Sequence, residues 1–243
     1  MYHSIIFGSK DAWADWCLIP SSRPVFNPPA PKTKFVDIPG ADFHLDMSTV
    51  LTGDIAYEAR TGSIEFIVDN GALSEYRADK WFVLYSEIMD YLHGQIVKAT
   101  LEDDPGYYYE GRFSVNQWKS DPHNSKITID YTVNPYKLEK YSSLENWKWD
   151  DFCFETSIIR EYKDLRVDGS LTLTVIGRRM GVTPSFIVKS DDGEGLKVKF
   201  DGITYDLPDG NSRVINIRTK NGENKLEFTG NGTVSVDYRG GCL

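Results

Sequence analysis

Hydrophobic positions along the chain follow two periods, and each period predicts a different kind of element. From Leu165 onward, short apolar runs alternate with polar residues, which is typical of half-buried strands. Between these runs stand Asp-Gly and Asn-Gly pairs, which favour tight turns because Gly readily adopts positive φ. The pairs are Asp168-Gly169, Asp192-Gly193, Asp201-Gly202, Asp209-Gly210, Asn221-Gly222 and Asn231-Gly232. We therefore predict that residues 141–243 form an antiparallel β sandwich, and that their first part, Tyr141–Asp151, is the connection between two domains.

One stretch in the first half has the helical period instead. Its apolar residues recur on one face and are Trp81, Phe82, Leu84, Tyr85, Ile88, Met89 and Leu92. Gly94 follows them and fits a left-handed C-terminal cap, so we predict a helix over residues 78–92. Strand-like runs surround it at Ser4–Phe7, Phe35–Ile38, Ile64–Val68, Gln95–Leu101, Tyr107–Gln117 and Lys126–Val133. Residues 1–140 are thus expected to form a β-rich, split-barrel or sandwich-like domain with one packed helix.

Six of the eleven prolines fall between residues 20 and 39. They are Pro20, Pro24, Pro28, Pro29, Pro31 and Pro39. Proline cannot donate to a strand ladder and favours extended chain. We expect an arm over residues 20–39 that packs against another subunit or crosses its own domain, with a plain surface loop as the remaining alternative.

Charge and composition narrow the function classes. The 243 residues are 40% hydrophobic and 13% aromatic, enough for a full-sized β-rich core. The net charge of −9 has the wrong sign for neutralising a phosphate backbone, so no nucleic-acid partner is expected. Cys17, Cys153 and Cys242 suggest neither a disulfide framework nor a zinc site. No apolar run approaches the roughly 18 residues of a membrane span, and no secretory signal is recognised, so no membrane insertion is expected.

Candidate chemistry is sparse. The sequence carries no nucleophile elbow, zinc-protease motif, P-loop or dinucleotide fingerprint, so we predict no catalytic residue, no cofactor and no metal site. The four histidines lack metal-ligand spacing, and Asp191–Gly195 is read as a turn rather than a calcium loop. Trp147 and Trp149 would share one face of a strand, which makes them candidates for stacking on a saccharide.

The order of features in the first half resembles the distal tail protein (Dit) family of long non-contractile-tailed bacteriophages and prophages. The resemblance covers roughly residues 1–140, and the second half matches the size of the galectin-like domain that many members carry. The residues that carry it are Pro39, Gly40, Tyr57, Arg60, His93, Gly94, Asp104, Pro105, Gly111, Arg112, Pro135, Tyr136 and Lys137. Within that pattern we expect Gly94 and Gly111 to serve turns or close backbone approach, and Arg60 and Arg112 to make charge-assisted contacts.

The resemblance implies a non-enzymatic virion protein. Members form a hexameric ring at the tail tip, which joins the tail tube to the tail-associated adhesion or lysin protein. The expected partners are therefore further copies of this chain, the tube protein and the tip protein, with assembly in the bacterial host cytoplasm.

Two other functions stay open from the sequence. The C-terminal β sandwich could recognise saccharides of a bacterial cell wall, alone or as part of the tail protein. A glycoside hydrolase would rest only on scattered carboxylates.

Overall fold

The structure is a computed structural model that describes residues 3–50, 53–69, 81–119, 125–146 and 158–243. The chain divides into two compact units. The first comprises Met1–Asp104 and Tyr108–Lys137 together with Leu243, and the second comprises Pro105–Tyr107 and Leu138–Cys242. Both are built from antiparallel strands that form curled sheets, which confirms the predicted mainly β class with a packed helix.

The strands of the first unit are β1 (Ile5–Phe7), β2 (Lys10–Asp11), β3 (Leu18–Pro20), β4 (Phe35–Asp37), β5 (His44–Asp46), β6 (Arg60–Val68), β7 (Gln95–Leu101), β8 (Tyr107–Lys119) and β9 (Lys126–Val133). Seven of these strands lie side by side in a curled sheet in the order β2-β1-β7-β8-β9-β6-β3. The other two, β4 and β5, form a separate hairpin that pairs with none of those seven strands.

Helix α1 (Trp81–Leu92) packs on the inner face of this sheet. Leu84, Ile88 and Leu92 are fully buried, as their i, i+4, i+8 spacing predicts. Gly94 follows with φ of +73°, a conformation that favours glycine at a helix end. The predicted helix is confirmed from Trp81, and its first three predicted residues lie outside the described ones.

The second unit is organised by one long strand. The strands are β10 (Lys137–Glu139), β11 (Leu165–Gly177), β12 (Ser185–Ser190), β13 (Leu196–Phe200), β14 (Ile203–Leu207), β15 (Gly210–Arg213), β16 (Gly222–Asp237) and β17 (Gly241–Cys242). Six of them form one sheet, in which β11 runs along one edge of β16 while β13 and then β12 occupy the other edge. The buried core lies on one side of this curled sheet. Its galectin-like character remains a prediction.

Three of the six predicted turn dipeptides show two different outcomes. Asp201-Gly202 joins β13 and β14 through a two-residue turn with φ of +48° and +83°, as predicted. Asp168-Gly169 and Asn231-Gly232 were predicted as turns too, and that prediction is wrong: they lie opposite each other in the interior of β11 and β16. There Gly169 N donates to Asn231 Oδ1 at 2.9 Å. Gly232 lies where the partner of β16 along one edge changes from β13 to β12.

Candidate functional site

The first half of the Pro-rich arm packs against its own unit. Phe26 is 3% exposed, and its ring centre lies 4.1 Å from that of Tyr109 and 4.7 Å from that of Tyr131. Asn27 adds polar contacts: its backbone N donates to Tyr131 Oη at 2.9 Å, and its side-chain amide donates to Thr61 O at 2.8 Å. Of the alternatives left open by the sequence, this part of the arm therefore crosses its own domain.

Arg60 lies beneath this segment and is only 5% exposed. Its Nε donates to Pro135 O at 2.7 Å and its Nη1 to Asn27 O at 3.0 Å, while the guanidinium carbon lies 5.5 Å from the Tyr109 ring centre. Burial lowers the pKa of Arg60, and the nearby Tyr109 and Tyr131 oppose that shift. An arginine still keeps its charge at neutral pH. A buried cation thus ties the arm to the loop that follows β9.

Other residues that carry the family resemblance contact one another within the first unit. Pro31 forms an isolated bridge with Tyr57, and the Tyr57 ring meets that of Tyr136 edge to face at 5.9 Å. Lys137 Nζ donates to Asp104 Oδ2 at 2.6 Å, just before Pro105. These contacts connect the segments around residues 57–60, 104 and 135–137, which the sequence places far apart.

A second group lies where α1 ends. Gly94 N donates to Phe113 O at 2.7 Å, and the Arg112 guanidinium donates to Gly94 O. His93 closes the helix through its backbone N, which donates to Met89 O. At Gly111, a Cβ atom would lie 2.3 Å from Thr132 O, so the backbones of β8 and β9 approach too closely there for a side chain. This group holds the helix to the sheet.

The remaining predicted residues fall elsewhere. Pro39 and Gly40 lie in the exposed loop between β4 and β5, where Gly40 has φ of +84°. Trp147 and Trp149 lie outside the described residues.

The β4–β5 hairpin is the most unusual surface of the first unit. We call residues 35–50 the apolar hairpin, because seven of the eighteen exposed large hydrophobic residues in the described chain fall within it. Phe43 is 66% exposed, Val50 60% and Phe35 55%. The other four are Val36, Ile38, Leu45 and Met47. Together they expose roughly 600 Å² over the two faces of the hairpin, a total comparable to the area of the largest apolar patches found on monomeric proteins.

Sequence reasoning placed a strand at Phe35–Ile38 but missed this surface. The available signal was the run Phe35-Val36-Asp37-Ile38, which puts large apolar residues on both faces of a short strand. In a hairpin that pairs with no other strand of the described chain, neither face is covered. Asp37, Asp42 and Asp46 add acidic charge, with Lys34 at its base.

The described residues contain neither a metal-binding cluster nor a membrane-spanning helix. No group of three or more His, Cys, Asp or Glu side chains there could hold a metal ion. None of the helices in that part of the chain is both long and apolar enough to cross a bilayer.

Together these features define a mainly β protein of two compact units, with curled antiparallel sheets and an exposed apolar hairpin. Among solved structures, it is similar to the crystal structure of Dit from phage SPP1, described as a paradigm of the hub adsorption apparatus in phages that infect Gram-positive bacteria. The similarity covers 100% of both chains, with a TM-score of 0.57 and 12% sequence identity, and it shows the fold. No protein-family model and no curated protein matches the chain.

Proposed function

We propose that this chain is a non-enzymatic structural protein of a phage tail, a distal tail hub. Six copies form a ring at the tail tip, and the ring joins the tail tube to the tip protein that carries adhesion or lysis. The fold supports this assignment, because the likeness to the SPP1 hub protein extends over the whole of both chains. The residues Arg60, Gly94, Gly111 and Arg112 have structural contacts that suit a scaffold.

The main observation in support of a ring is the exposed apolar hairpin. Its exposed apolar side chains total roughly 600 Å² over the two faces, a large part of the about 800 Å² per partner of a standard protein interface when a neighbour encloses the hairpin. Both of its faces are open, so a neighbouring chain can bury either one. In a cyclic ring each subunit offers two different surfaces, one to each neighbour, and the hairpin supplies one of them.

The test is the mass and shape of the purified full-length chain. We expect light scattering after size exclusion to give six times 27.6 kDa, about 166 kDa, with ring-shaped particles in negative stain. A hairpin variant, Phe35→Ser with Phe43→Ser, should elute as a 27.6 kDa monomer with an unchanged circular dichroism spectrum, because both side chains are exposed.

The matched control is Ile215→Ser, which changes a residue of the second unit that is 83% exposed. It should leave the ring intact. A wild-type chain that stays monomeric, or a hairpin variant that still forms rings, would contradict the proposal.

A further inference from the structure

Strand β11 leaves one of its two edges without a partner strand. It pairs along its whole length with β16, and no other strand of the described chain pairs with it. Two tyrosines occupy the C-terminal end of this edge. Tyr162 Oη donates to Thr174 O at 3.1 Å and accepts a hydrogen bond from Ile176 N at 3.3 Å. Tyr238 Oη donates to Ile176 O at 2.7 Å, so the backbone groups of Thr174 and Ile176 point away from β16.

These bonds identify the other backbone groups on the open edge. In an antiparallel strand the N–H and C=O of one residue point to the same edge, and alternate residues point to opposite edges. Ser170 and Thr172 therefore face the open edge together with Thr174. Both groups of Ser170, both groups of Thr172 and the N–H of Thr174 have no hydrogen-bond partner within the described ranges. Such a row of unpaired groups is a template for a further strand.

The part of the edge that stays open lacks the usual protection. We call residues 170–174, Ser-Leu-Thr-Leu-Thr, the open segment. Proteins normally keep edge strands apart by making them short or by placing charges or proline on them. The two strands at the ends of the same sheet follow that rule, since β14 carries Asp206 and β15 has only four residues. The open segment has neither a charge nor a proline, so its backbone is free to pair.

The open segment reads the same in both directions by class of residue. Hydroxyl residues and leucines alternate symmetrically about Thr172. Two copies that run antiparallel about a two-fold axis at Thr172 would place that residue opposite itself. The same register places Ser170 opposite Thr174, and Leu171 opposite Leu173 of the other copy. Hydroxyl pairs and apolar pairs that lie directly opposite each other stabilise antiparallel sheets, so the segment is complementary to itself.

The two leucines supply apolar contact to such a pair. Leu171 and Leu173 pack against the core of the second unit but remain only half-buried, whereas the valines on the same face of β11 are buried. A second copy would cover the exposed part of both leucines. A register centred on Ser170 would instead place Leu171 opposite Gly169 and lose this contact. The leucines and the hydroxyl residues therefore favour the same register.

We infer that the open edge of β11 binds the same edge of a second copy of this chain, antiparallel, with the two-fold axis at Thr172. The contact joins identical surfaces, so it is distinct from the ring contacts, which join different ones, and it connects two chains or two rings. Five residues on each side bury much less than the about 1,200 Å² of a stable interface, so the pair is weak. We expect a dissociation constant between about 100 µM and 1 mM, which leaves the mass in dilute solution unchanged.

Disulfide trapping of the full-length chain tests the contact and its register. Opposite residues in a hydrogen-bonded antiparallel pair have Cα atoms about 5.5 Å apart, within the range of a disulfide. Thr172→Cys, oxidised with diamide at about 300 µM, should give a product of two 27.6 kDa chains, about 55 kDa, on a denaturing gel without reductant. Ser170→Cys is the matched control, since it is exposed on the same face but lies roughly 14 Å along the strand from its own copy.

The wild-type chain gives the background from its native cysteines. Product above that background from Thr172→Cys but not from Ser170→Cys supports the pairing. Equal yields from the two variants would contradict the register, and no product above background would overturn the pairing. The test needs only two copies, so it remains valid for a chain that forms no ring, whereas a ring without this product would leave the ring standing.

A charge placed on the axis provides a second measurement. Thr172→Lys changes an exposed residue, so the fold should be kept, but it sets two like charges opposite each other. In sedimentation equilibrium between about 10 and 500 µM, the average mass of the wild-type chain should rise with concentration and that of the variant should not. A mass that rises equally in both chains, or in neither, would overturn the pairing.

Discussion

Arg60 shows how one buried side chain can hold a segment that proline has deprived of donors. Pro24, Pro28 and Pro29 offer no backbone N–H, so the arm presents mostly carbonyl oxygens to its surroundings. Arg60 has five N–H donors and no acceptor, and it reaches the carbonyls of Asn27 and Pro135 together. The Asn27 carbonyl of the arm therefore has a donor without forming a strand ladder.

Arg60→Met tests this role. Methionine retains the apolar stem but leaves those carbonyls without their charged donor, which we expect to lower the free energy of unfolding by about 2–4 kcal/mol. Urea denaturation followed by circular dichroism measures the change. Arg23→Met is the control from the same arm: its side chain is 68% exposed and pairs with Asp103, so it should cost under about 1 kcal/mol. Equal losses in the two variants would argue against a buried anchor.

Sequence reasoning selected Arg60 only through the family pattern and expected a charge-assisted contact. The partners could not be predicted, because they are backbone atoms 33 and 75 positions away in the chain. Residue type states what a side chain can donate, but the fold decides which acceptors come within reach.

At the scale of elements, the Asp-Gly and Asn-Gly pairs show what a local pattern can predict. Asp201-Gly202 forms a turn because the strands on either side, β13 and β14, pair with each other. The same kind of dipeptide at Asn231-Gly232 lies inside a strand, because β11 pairs with β16 on both sides of it. The same local preference thus occurs in a turn at one site and inside a strand at the other, and long-range strand pairing decides between them.

The two sites should respond differently to the same substitution. Gly202→Ala meets open space and suffers only from φ of +83°, so we expect a loss of about 1–2 kcal/mol. Gly232→Ala would put a Cβ atom 2.5 Å from Lys189 O and 2.7 Å from Ser190 Cα, so the pairing of β12 with β16 must shift. We expect a loss of about 3 kcal/mol or more there. Thermal unfolding of the two variants checks the order, and a larger loss at Gly202 would contradict it.

At the scale of the whole molecule, the periodicity of hydrophobic residues was sufficient to predict the mainly β fold class and the helix. Buried positions such as Leu84 and Ile88 repeat with the period of the element that holds them. The apolar hairpin could not be identified as a surface in this way, because Phe35 and Phe43 are as hydrophobic as core residues. A docking surface and a core strand differ in what covers them, and that depends on other strands or other chains.

A buried ion cluster begins the second unit. Glu139 accepts two hydrogen bonds from the Arg160 guanidinium, at 2.7 and 2.9 Å, and one from Arg178 Nε at 2.9 Å. Gly240 N donates to the same carboxylate at 3.0 Å. Burial raises the pKa of Glu139, but Arg160 and Arg178 outweigh it and hold that pKa below its ordinary value of 4.5. Glu139 precedes the boundary predicted at residue 140, so the cluster offers a way to test where the domain starts.

Two fragments make that test. Residues 138–243 keep the cluster, whereas residues 141–243 leave Arg160 and Arg178 without their carboxylate, so we expect the shorter fragment to be about 3–5 kcal/mol less stable at pH 7. Because the folded-state pKa of Glu139 is depressed, its contribution is complete above about pH 4.5 and is lost as the pH falls through the folded value. The difference between the fragments should therefore narrow below pH 4.5, as urea unfolding at several pH values would show. Glu139→Gln in the longer fragment keeps the backbone pairing of β10 with β17 and should reproduce most of the loss. Equal stability of both fragments at pH 7 would place the start of the domain at residue 141 and leave the cluster without a structural role.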